Sequence, residues 1–173
     1  IIISGALYLK TYLKDVIITK RCFMNHIIDK YLEKDFLLFA VKKDGSINAM
    51  SCGWATEGIL FNKHVFTVYV RRSRYTFEFL EEADDFYIGT TSAEMIDYFG
   101  SVSGRDEDKI AKAGFKTQIK DGILYVEGVS NLKRLKKILA LDFKDYIMID
   151  DEINKKYQED SRGHVAFVGE VED

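Results

Sequence analysis

The densest group of side chains that can bind an anion lies in residues 71–76, Arg-Arg-Ser-Arg-Tyr-Thr. An apolar, β-branched stretch precedes them, so we place them where a strand ends and a helix begins. Guanidinium groups, hydroxyl groups and free N–H groups at a helix start suit a phosphate, because Arg matches its oxygens in pairs and the helix end is partly positive. The alternatives are a solvated, charged strand end and, more weakly, a nucleic-acid contact, which the net charge of −3 disfavours.

A second segment, residues 48–55, combines small side chains with an amide, a hydroxyl and one indole directly after a predicted hairpin turn. Small residues let a flat ring lie against backbone amides, and Asn48 and Ser51 can bond to its polar edge. The alternative is a bulged strand in which Trp54 is simply packed. We interpret Cys52 as a small buried hydrophobic residue rather than a nucleophile, since no neighbour in the sequence would lower its pKa.

A third segment begins at Ser103 and reads Ser-Gly-Arg-Asp-Glu-Asp-Lys. Asp106, three residues after Ser103, predicts a capped helix start, and Gly114 predicts the helix end. In such a helix Arg105 and Lys109 would share one face. On its own, this pattern is equally typical of an ordinary capped and charged helix.

The fourth segment is a strand-like run that His164 opens. An imidazole at a strand end can donate a hydrogen bond or exchange a proton near neutral pH, although an isolated histidine is more often structural. The sequence contains neither a GxGxxG nor a P-loop nor a GxSxG motif. The acidic pairs 84–85 and 150–151 are interpreted as solvated turns or helix starts, so we expect no metal site.

The elements that must position these segments are short. β-Branched and aromatic runs predict strands at 36–41, from about 47, at 65–71, 86–90, 123–127 and 164–172. Apolar spacing and capping residues predict helices at 23–33, at 75–82 with Ser73 as cap, and from Ser92 through Phe99. Residues 131–141 have helical spacing in a position that would suit a strand. Short strands without regular βαβ alternation predict an α+β or mainly β barrel.

Composition limits the class of protein. The 173 residues are 47% hydrophobic and 31% charged, which predicts one soluble domain, and no linker or repeat divides the sequence. Lys plus Arg at 25 against Asp plus Glu at 28 give no general attraction to nucleic acid or anionic membrane. The two cysteines have no metal-binding spacing, which favours a reducing, cytoplasmic setting. The apolar start is interrupted by Lys10 and Lys14 before it is long enough to span a bilayer.

Taken together and in order, four segments resemble the flavin reductase-like family that includes flavoredoxin. These segments are 48–54, 65–76, 103–109 and 164–171. The resemblance covers roughly residues 36–172, and we divide the chain into an N-terminal extension, 1–22, and one domain, 23–173. It implies a mainly β, FMN-binding split β-barrel with Greek-key connections and a few short helices. It also implies that residues 131–141 form a strand.

The resemblance implies a role for each segment in holding non-covalently bound FMN. The isoalloxazine ring would be lined by Asn48, Ala49, Met50, Ser51, Cys52 and Trp54. The phosphate and ribityl chain would be held by Arg71, Ser73, Arg74, Tyr75 and Thr76. The pocket would be completed or braced by Ser103, Arg105, Asp106 and Lys109. His164 would lie beside the ring, where relatives place the nicotinamide, and is the predicted catalytic residue.

The implied function is that of an FMN-dependent oxidoreductase. NAD(P)H or another donor would pass electrons through FMN to flavin, to a small molecule or to a protein acceptor. The alternatives are a non-catalytic FMN-binding electron-transfer or storage protein, and a barrel that has lost its cofactor and only binds proteins. The resemblance also implies a homodimer with the flavin near the subunit interface, and we expect neither a nucleic-acid nor a membrane partner. Relatives commonly carry proline where this chain has Arg72, so we expect a looser, more positive turn there.

Overall fold

A seven-stranded antiparallel sheet and a two-stranded hairpin make up most of the computed structural model, which describes residues 35–157 and 163–172. The strands are β1 (Phe36–Val41), β2 (Ile47–Cys52), β3 (Ala55–Leu60), β4 (Lys63–Arg71), β5 (Asp85–Thr90), β6 (Lys116–Lys120), β7 (Ile123–Glu127), β8 (Ser130–Asp142) and β9 (His164–Val171). The helices are α1 (Tyr75–Glu82), α2 (Ala93–Ser101), α3 (Lys109–Lys112) and α4 (Asp151–Tyr157), with a 3-10 turn at Phe143–Asp145. The large sheet runs β2-β1-β5-β8-β9-β4-β3, and β6 pairs with β7.

Strand β1 is apolar on both faces because both faces are covered. Phe36 and Leu38 point into one core cluster, whereas Leu37 and Phe39 point into another, beneath α2, α3 and the β6–β7 hairpin. All four side chains are 1% exposed or less. Alternation of side chains along a strand explains why consecutive residues reach opposite layers.

The first core cluster lies inside a curled sheet. It contains residues of β1, β2, β4, β5, β8 and β9, and strands from both halves of the sheet can share one interior only if the sheet bends around it. Phe77, Phe79 and Leu80 of α1 add to this cluster. The predicted mainly β, α+β barrel class is therefore confirmed.

The predicted hairpin between β1 and β2 is confirmed. The Asp44 carboxylate accepts hydrogen bonds from the backbone N–H and the hydroxyl of Ser46, and Gly45 adopts a φ of +85°. The pairing brings Ala40 opposite Asn48 and Leu38 opposite Met50. This register fixes the positions of the β2 residues of the predicted site relative to the buried strand β1.

Residues 131–141 lie within strand β8, as the family resemblance implied, and the helical reading of their spacing is wrong. Strand β8 pairs with β5 on one side and β9 on the other, so pairing outweighs the local apolar period. Its basic side chains find acceptors at the sheet surface: Arg134 binds Asp85 at 2.6 Å, and the Lys137 amine donates to the Leu80 carbonyl at 2.6 Å.

Two of the predicted helix starts differ in the structure. Helix α1 begins after Arg74, with no side-chain cap, so Ser73 is not its cap. Helix α3 spans only four residues and is capped by Asp108, whose carboxylate accepts from the N–H of Ala111 at 3.0 Å. The Ser103 hydroxyl instead accepts from the N–H of Arg105 at 3.2 Å within a turn. Ser73 and Ser103 therefore do not cap helices, and α3 begins later than predicted because a turn follows Ser103.

The remaining helix predictions divide between a confirmed element and an undescribed one. Ser92 caps α2 as predicted, because its hydroxyl accepts from the N–H of Met95 at 3.3 Å. The predicted helix at 23–33 and the predicted extension 1–22 lie outside the described residues. Within the described part of the chain, no helix has the length and apolar character needed to cross a bilayer.

Candidate site formed by two adjoining cavities

A cavity of about 390 Å³ opens where β4 passes into α1. We call it the β4–α1 cavity. Strand β2, the end of α2 and the 102–108 turn form its other walls. It is lined by Asn48, Met50, Arg71, Ser73, Arg74, Tyr75, Thr76, Phe99, Ser101, Val102, Ser103, Gly104, Arg105 and Lys109. The structure thus brings together three segments that the sequence predicted to form one site.

The β4–α1 cavity is electropositive. Four cationic side chains line it, those of Arg71, Arg74, Arg105 and Lys109, and among the described lining residues there is no carboxylate. The chain as a whole carries a formal charge of −3, so this concentration of positive charge is local. Cations lining a concave surface raise the local concentration of an anionic ligand.

Lys109 is the most buried of these cations, with only 4% of the residue exposed. Its amine donates to the carbonyl oxygen of Phe99 at 3.0 Å and lies 5.2 Å from the centre of the Phe99 ring. Burial and then the nearby charge of Arg74 lower the pKa of Lys109 to about 8. A lysine kept this close to an arginine would be stabilised by an anion lying between them.

Asn48 links strand β2 to helix α1, and Gly104 lets the 102–108 turn lie directly against Asn48. The Asn48 amide donates to the hydroxyl oxygen of Thr76 at 2.8 Å, and Asn48 is almost fully buried. A Cβ atom on Gly104 would collide with the Asn48 Oδ1 atom and would lie 3.0 Å from Cδ1 of Tyr75. Only a glycine lets the turn approach β2 this closely.

Arg105 and Arg74 tie the walls of the cavity together. The Arg105 guanidinium forms an ion pair with Glu78, donates to the Ser73 carbonyl at 3.3 Å and lies 4.9 Å from the centre of the Tyr75 ring. Arg74 donates to the carbonyl oxygen of Gly100, at the end of α2, at 3.4 Å. Both arginines keep further N–H groups that can face a ligand, because a guanidinium carries five donors.

A second cavity of about 300 Å³ adjoins the first, and we call it the Trp54 cavity. It is lined by Asp35, Met50, Ser51, Cys52, Gly53, Trp54, Tyr69, Arg71, Arg74 and His164. The two cavities share Met50, Arg71 and Arg74. One end of the combined site is therefore cationic, and the other adds aromatic side chains together with the polar groups of Asp35, Ser51 and His164.

Two stacked rings form one wall of the Trp54 cavity. The rings of Trp54 and His164 lie 4.7 Å apart with an interplanar angle of 14°, and Tyr157 packs edge-on to Trp54 at 5.3 Å. His164 is only 4% exposed, whereas Trp54 is 45% exposed. Arg71 Nε donates to His164 Nε2 at 3.4 Å. The wall offers a flat surface to a planar ligand.

Three residues of the predicted segments lie away from the cavities. The side chain of Ala49 packs into the second core cluster, because alternation along β2 turns it to the opposite face from Asn48 and Met50. Asp106 is exposed in the 102–108 turn. Arg72, the third arginine of the predicted anion cluster, pairs with Asp142 and lies 5.2 Å from the Phe77 ring centre.

The turn at Arg72 is held by two contacts rather than being loose. Besides the ion pair with Asp142, the backbone N–H of Arg72 donates to the Gly163 carbonyl at 3.1 Å. A proline at this position would remove that backbone donor. The prediction of a looser turn at Arg72 is therefore wrong, because both contacts fix the turn.

Cys52 behaves as the sequence predicted for a small buried hydrophobic residue. It is 4% exposed and belongs to the interior cluster, although it also borders the Trp54 cavity. Burial raises the pKa of its thiol to about 12. The thiol is therefore neutral at physiological pH and is not an activated nucleophile.

The sequence reasoning missed the contribution of α2. Phe99, Ser101 and Val102 line the β4–α1 cavity although no prediction assigned them to the site. Gly104 also lines it, although it was predicted only as part of the 103–109 segment. The available signal was the run Gly-Ser-Val-Ser-Gly directly after a predicted helix, since small residues there allow a ligand or a second segment to come close. Asp35 and Tyr69 of the Trp54 cavity carried no local signal.

Several solved structures share this fold. The FMN-binding domain of a flavin reductase-like enzyme from Shewanella baltica is 20% identical, with a TM-score of 0.55 over 79% of this chain and 65% of that one. Flavoredoxin of Desulfovibrio vulgaris (Miyazaki F) is 24% identical, with a TM-score of 0.57 over 80% and 67%. Nitrilotriacetate monooxygenase component B from Bacillus cereus is 16% identical, with a TM-score of 0.60 over 80% and 67%.

This chain therefore has the fold of flavin reductase-like FMN-binding domains and flavoredoxins, which confirms the resemblance at the level of the fold. It spans about two thirds of the length of these solved chains. No protein-family model matches the sequence, and no curated protein matches it.

The chemistry of the two cavities follows from their side chains. The cationic end can bind a phosphate group through charge-assisted hydrogen bonds, and the aromatic end can hold a planar ring. Within residues 35–157 and 163–172, no three His, Cys, Asp or Glu side chains are grouped so that they could hold a metal ion. Their arrangement suits a ligand that is anionic at one end and flat at the other.

Proposed function

We propose that the chain binds FMN across the two adjoining cavities and acts in electron transfer. The observation that carries the proposal is the charge of the β4–α1 cavity: four cations and no carboxylate among its described lining residues, next to an aromatic cavity. Similarly folded solved structures include FMN-binding proteins. Each cavity has the volume of an ordinary small-molecule site.

The donor set fits FMN in its chemistry. Arg71, Arg74 and Lys109 would hold the phosphate by charge, and the hydroxyl groups of Ser73 and Ser103 would bind the phosphate or the ribityl chain. The wall formed by Trp54 and His164 would lie beside the isoalloxazine ring. Bound FMN would supply the redox chemistry, since none of these side chains can accept and return a pair of electrons.

The residues of this chain would bind, orient and shield the cofactor. Met50 borders both cavities and would separate the ring from water. Arg71 and Arg74 border both cavities as well, so they would place positive charge near the ring as well as near the phosphate. A nearby positive charge stabilises electron-rich forms of any group held there.

We further propose that the chain is an oxidoreductase of the flavin reductase-like type. NAD(P)H or another donor would reduce the bound flavin, which would pass electrons to free flavin, a small molecule or a protein. In this proposal His164 would contact the donor beside the ring. The alternative is an electron-transfer or storage protein that NAD(P)H does not reduce.

We also propose that the chain acts as a homodimer. Ile147 and Ile149 are each 92% exposed, and Tyr146 beside them is 54% exposed. Contiguous apolar residues on a surface favour association, because burying them removes apolar area from water. A second copy of the chain is the partner that the proposal assigns to this surface.

The experiment that tests FMN binding is a titration of the cofactor-free protein, followed by the quenching of FMN fluorescence. We expect Arg74→Met to weaken binding by roughly tenfold or more, because it removes charge-assisted hydrogen bonds worth about 1.5–3 kcal/mol. Arg72→Met is the matched control, since Arg72 pairs with Asp142 outside the cavities. Wild-type protein that takes up no FMN would overturn the proposal.

Anaerobic addition of NADH or NADPH to the FMN-loaded protein then separates the two electron-transfer roles. Loss of the oxidised flavin absorbance within the time of a normal turnover supports the reductase. Absorbance that persists with both nucleotides supports the electron-transfer or storage role.

A further inference from the structure

We infer that Arg71 is a positioning residue for His164: it fixes which ring nitrogen of His164 carries the proton, and it links that choice to the anion in the neighbouring cavity. Arg71 and His164 are 93 residues apart, yet they face each other as register partners at the ends of β4 and β9. The backbone pairing therefore sets their proximity, independently of any ligand.

The direction of the hydrogen bond decides the tautomer. Arg71 Nε lies 3.4 Å from His164 Nε2 and carries a proton at all relevant pH values, so it can only donate. His164 Nε2 must then accept, which requires a lone pair on that atom. A neutral imidazole with a lone pair on Nε2 carries its proton on Nδ1.

The histidine is held against rotation as well as against a change of tautomer. Its ring stacks on Trp54 at 4.7 Å and packs edge-on to Tyr157 at 6.2 Å. It is 4% exposed, so water does not compete freely for its nitrogen atoms. The stacked ring and the hydrogen bond from Arg71 thus hold the imidazole in one orientation at the wall of the Trp54 cavity.

Arg71 also lines the β4–α1 cavity, together with Arg74 and Lys109. An anion bound there would attract the Arg71 guanidinium away from a bond that is already long at 3.4 Å. His164 Nε2 would then be released as phosphate binds. This second step rests on the proposed anion site, whereas the tautomer does not.

The test uses nitrogen-15 NMR of the imidazole rings in the full 173-residue chain, at a pH about two units above the ordinary histidine pKa so that the rings are neutral. We expect Nδ1–H for His164, assigned by its loss in His164→Gln. His64 is the internal comparison: its Nε2 contacts the Glu57 carboxylate, which can only accept, so it should show Nε2–H.

Three variants distinguish the effect of Arg71 on the His164 tautomer from the effect of the general positive charge of the site. Arg71→Met should lower the ratio of Nδ1–H to Nε2–H in His164 by roughly tenfold, the size of one charge-assisted hydrogen bond. Arg74→Met should leave that ratio unchanged, because Arg74 borders the same two cavities but donates to the Gly100 carbonyl. Arg71→Lys should restore Nδ1–H in part, since an ammonium also only donates.

An Nε2–H signal for His164 in the wild type, or an unchanged ratio in a folded Arg71→Met protein, would overturn the assignment. Inorganic phosphate tests the link between the cavities, and we expect it to move the Nε2 signal of His164 toward its Arg71→Met position. Phosphate that shifts other signals of the cavity but not this one would overturn the link while leaving the anion site in place. Phosphate that binds nowhere would overturn the link and the proposed anion site, and the tautomer would still be decided by the variants.

Discussion

At the scale of single residues, Lys109 makes the proposed anion site dependent on pH. Burial and the charge of Arg74 lower its pKa to about 8, against an ordinary value near 10.5. Below pH 8 the amine is therefore mainly charged and attracts an anion, and above pH 8 it is mainly neutral. Binding of an anion would favour the charged form and so be accompanied by proton uptake.

We expect the dissociation constant of FMN to rise as the pH increases from 7 to 9, by about tenfold, because the site loses one cation. FMN fluorescence quenching at a series of pH values measures this change. The matched variant is Lys109→Met, which keeps the volume of the side chain and should show weaker binding that does not vary over this range. A wild-type affinity as flat as that of Lys109→Met would contradict the assignment of Lys109 as a phosphate contact.

The same residue affects stability with a definite sign. The unfolded chain binds a proton at Lys109 up to a pH near 10.5, whereas the folded chain releases it near 8. Between these values the unfolded state binds more protons, so the contribution of Lys109 to the free energy of unfolding rises with pH.

The sequence predicted that Arg71, Ser73 and Arg74 lie together at a strand end, and all three line the β4–α1 cavity. Their role in binding a ligand stays a prediction. The strong strand signal at 65–71 located these residues, because it indicates where β4 ends. Ala49 was grouped with its neighbours although alternation along a strand turns it to the other face. The orientation of a single side chain depends on strand register, which the local sequence does not specify.

At the scale of elements, the turn 102–108 determines the shape of the β4–α1 cavity. It joins the end of α2 to the four-residue α3, and Gly104 at its centre packs against Asn48 and Tyr75. Any side chain at Gly104 must push the turn away from β2. The position of the turn therefore sets the shape of the cavity, just as the arginines set its charge.

Gly104→Ala should destabilise the fold by about 1–3 kcal/mol and weaken FMN binding, because the added methyl group overpacks the contact with Asn48. Urea unfolding and FMN titration measure the two effects. Gly58→Ala is the matched control: a Cβ atom there meets nothing within 4 Å, and its φ is not positive. Equal effects of the two substitutions on FMN binding would show that the turn does not shape the cavity.

The sequence predicted elements better than it predicted their ends. Strand β4 and the capped helix α2 follow strong local signals at 65–71 and Ser92, whereas α3 begins six residues after the predicted cap at Ser103. Asp108 is the cap because the Ser103 hydroxyl accepts a hydrogen bond from the N–H of Arg105 within the preceding turn. The strand character of β8 comes from its two neighbours in the sheet, which the local apolar spacing does not indicate.

At the scale of the whole molecule, the proposed dimer rests on the exposed surface around Ile147 and Ile149. Both residues follow strand β8 and its 3-10 turn, and helix α4 after them exposes 46% of Ile153. A surface of this kind would be costly for an isolated molecule, because each apolar Å² left in water costs about 25 cal/mol. Charge and composition alone could not have located it.

We expect light scattering coupled to size exclusion to give twice the chain mass of 19.9 kDa for the wild type. The double substitution Ile147→Ser and Ile149→Ser should shift the protein toward monomer by at least tenfold in the dissociation constant, since it removes two large apolar contacts. Ile119→Ser is the control, because Ile119 is a 42% exposed isoleucine on β6. A monomeric wild type at about 100 μM, well above the Kd of an ordinary specific dimer, would contradict the proposed dimer.

The place of β9 in the sheet has a consequence for synthesis of the protein. Strand β9 is the last of the described strands along the chain, yet it lies between β8 and β4, near the centre of the sheet. Strand β3 pairs with β4 at the edge of the sheet, but β4 also pairs with β9, so a ribosome releases β4 long before this second neighbour exists. Long-range pairing of this kind slows folding. The sheet, and the His164 side of the Trp54 cavity with it, can therefore be completed only after residues 164–171 have left the ribosome.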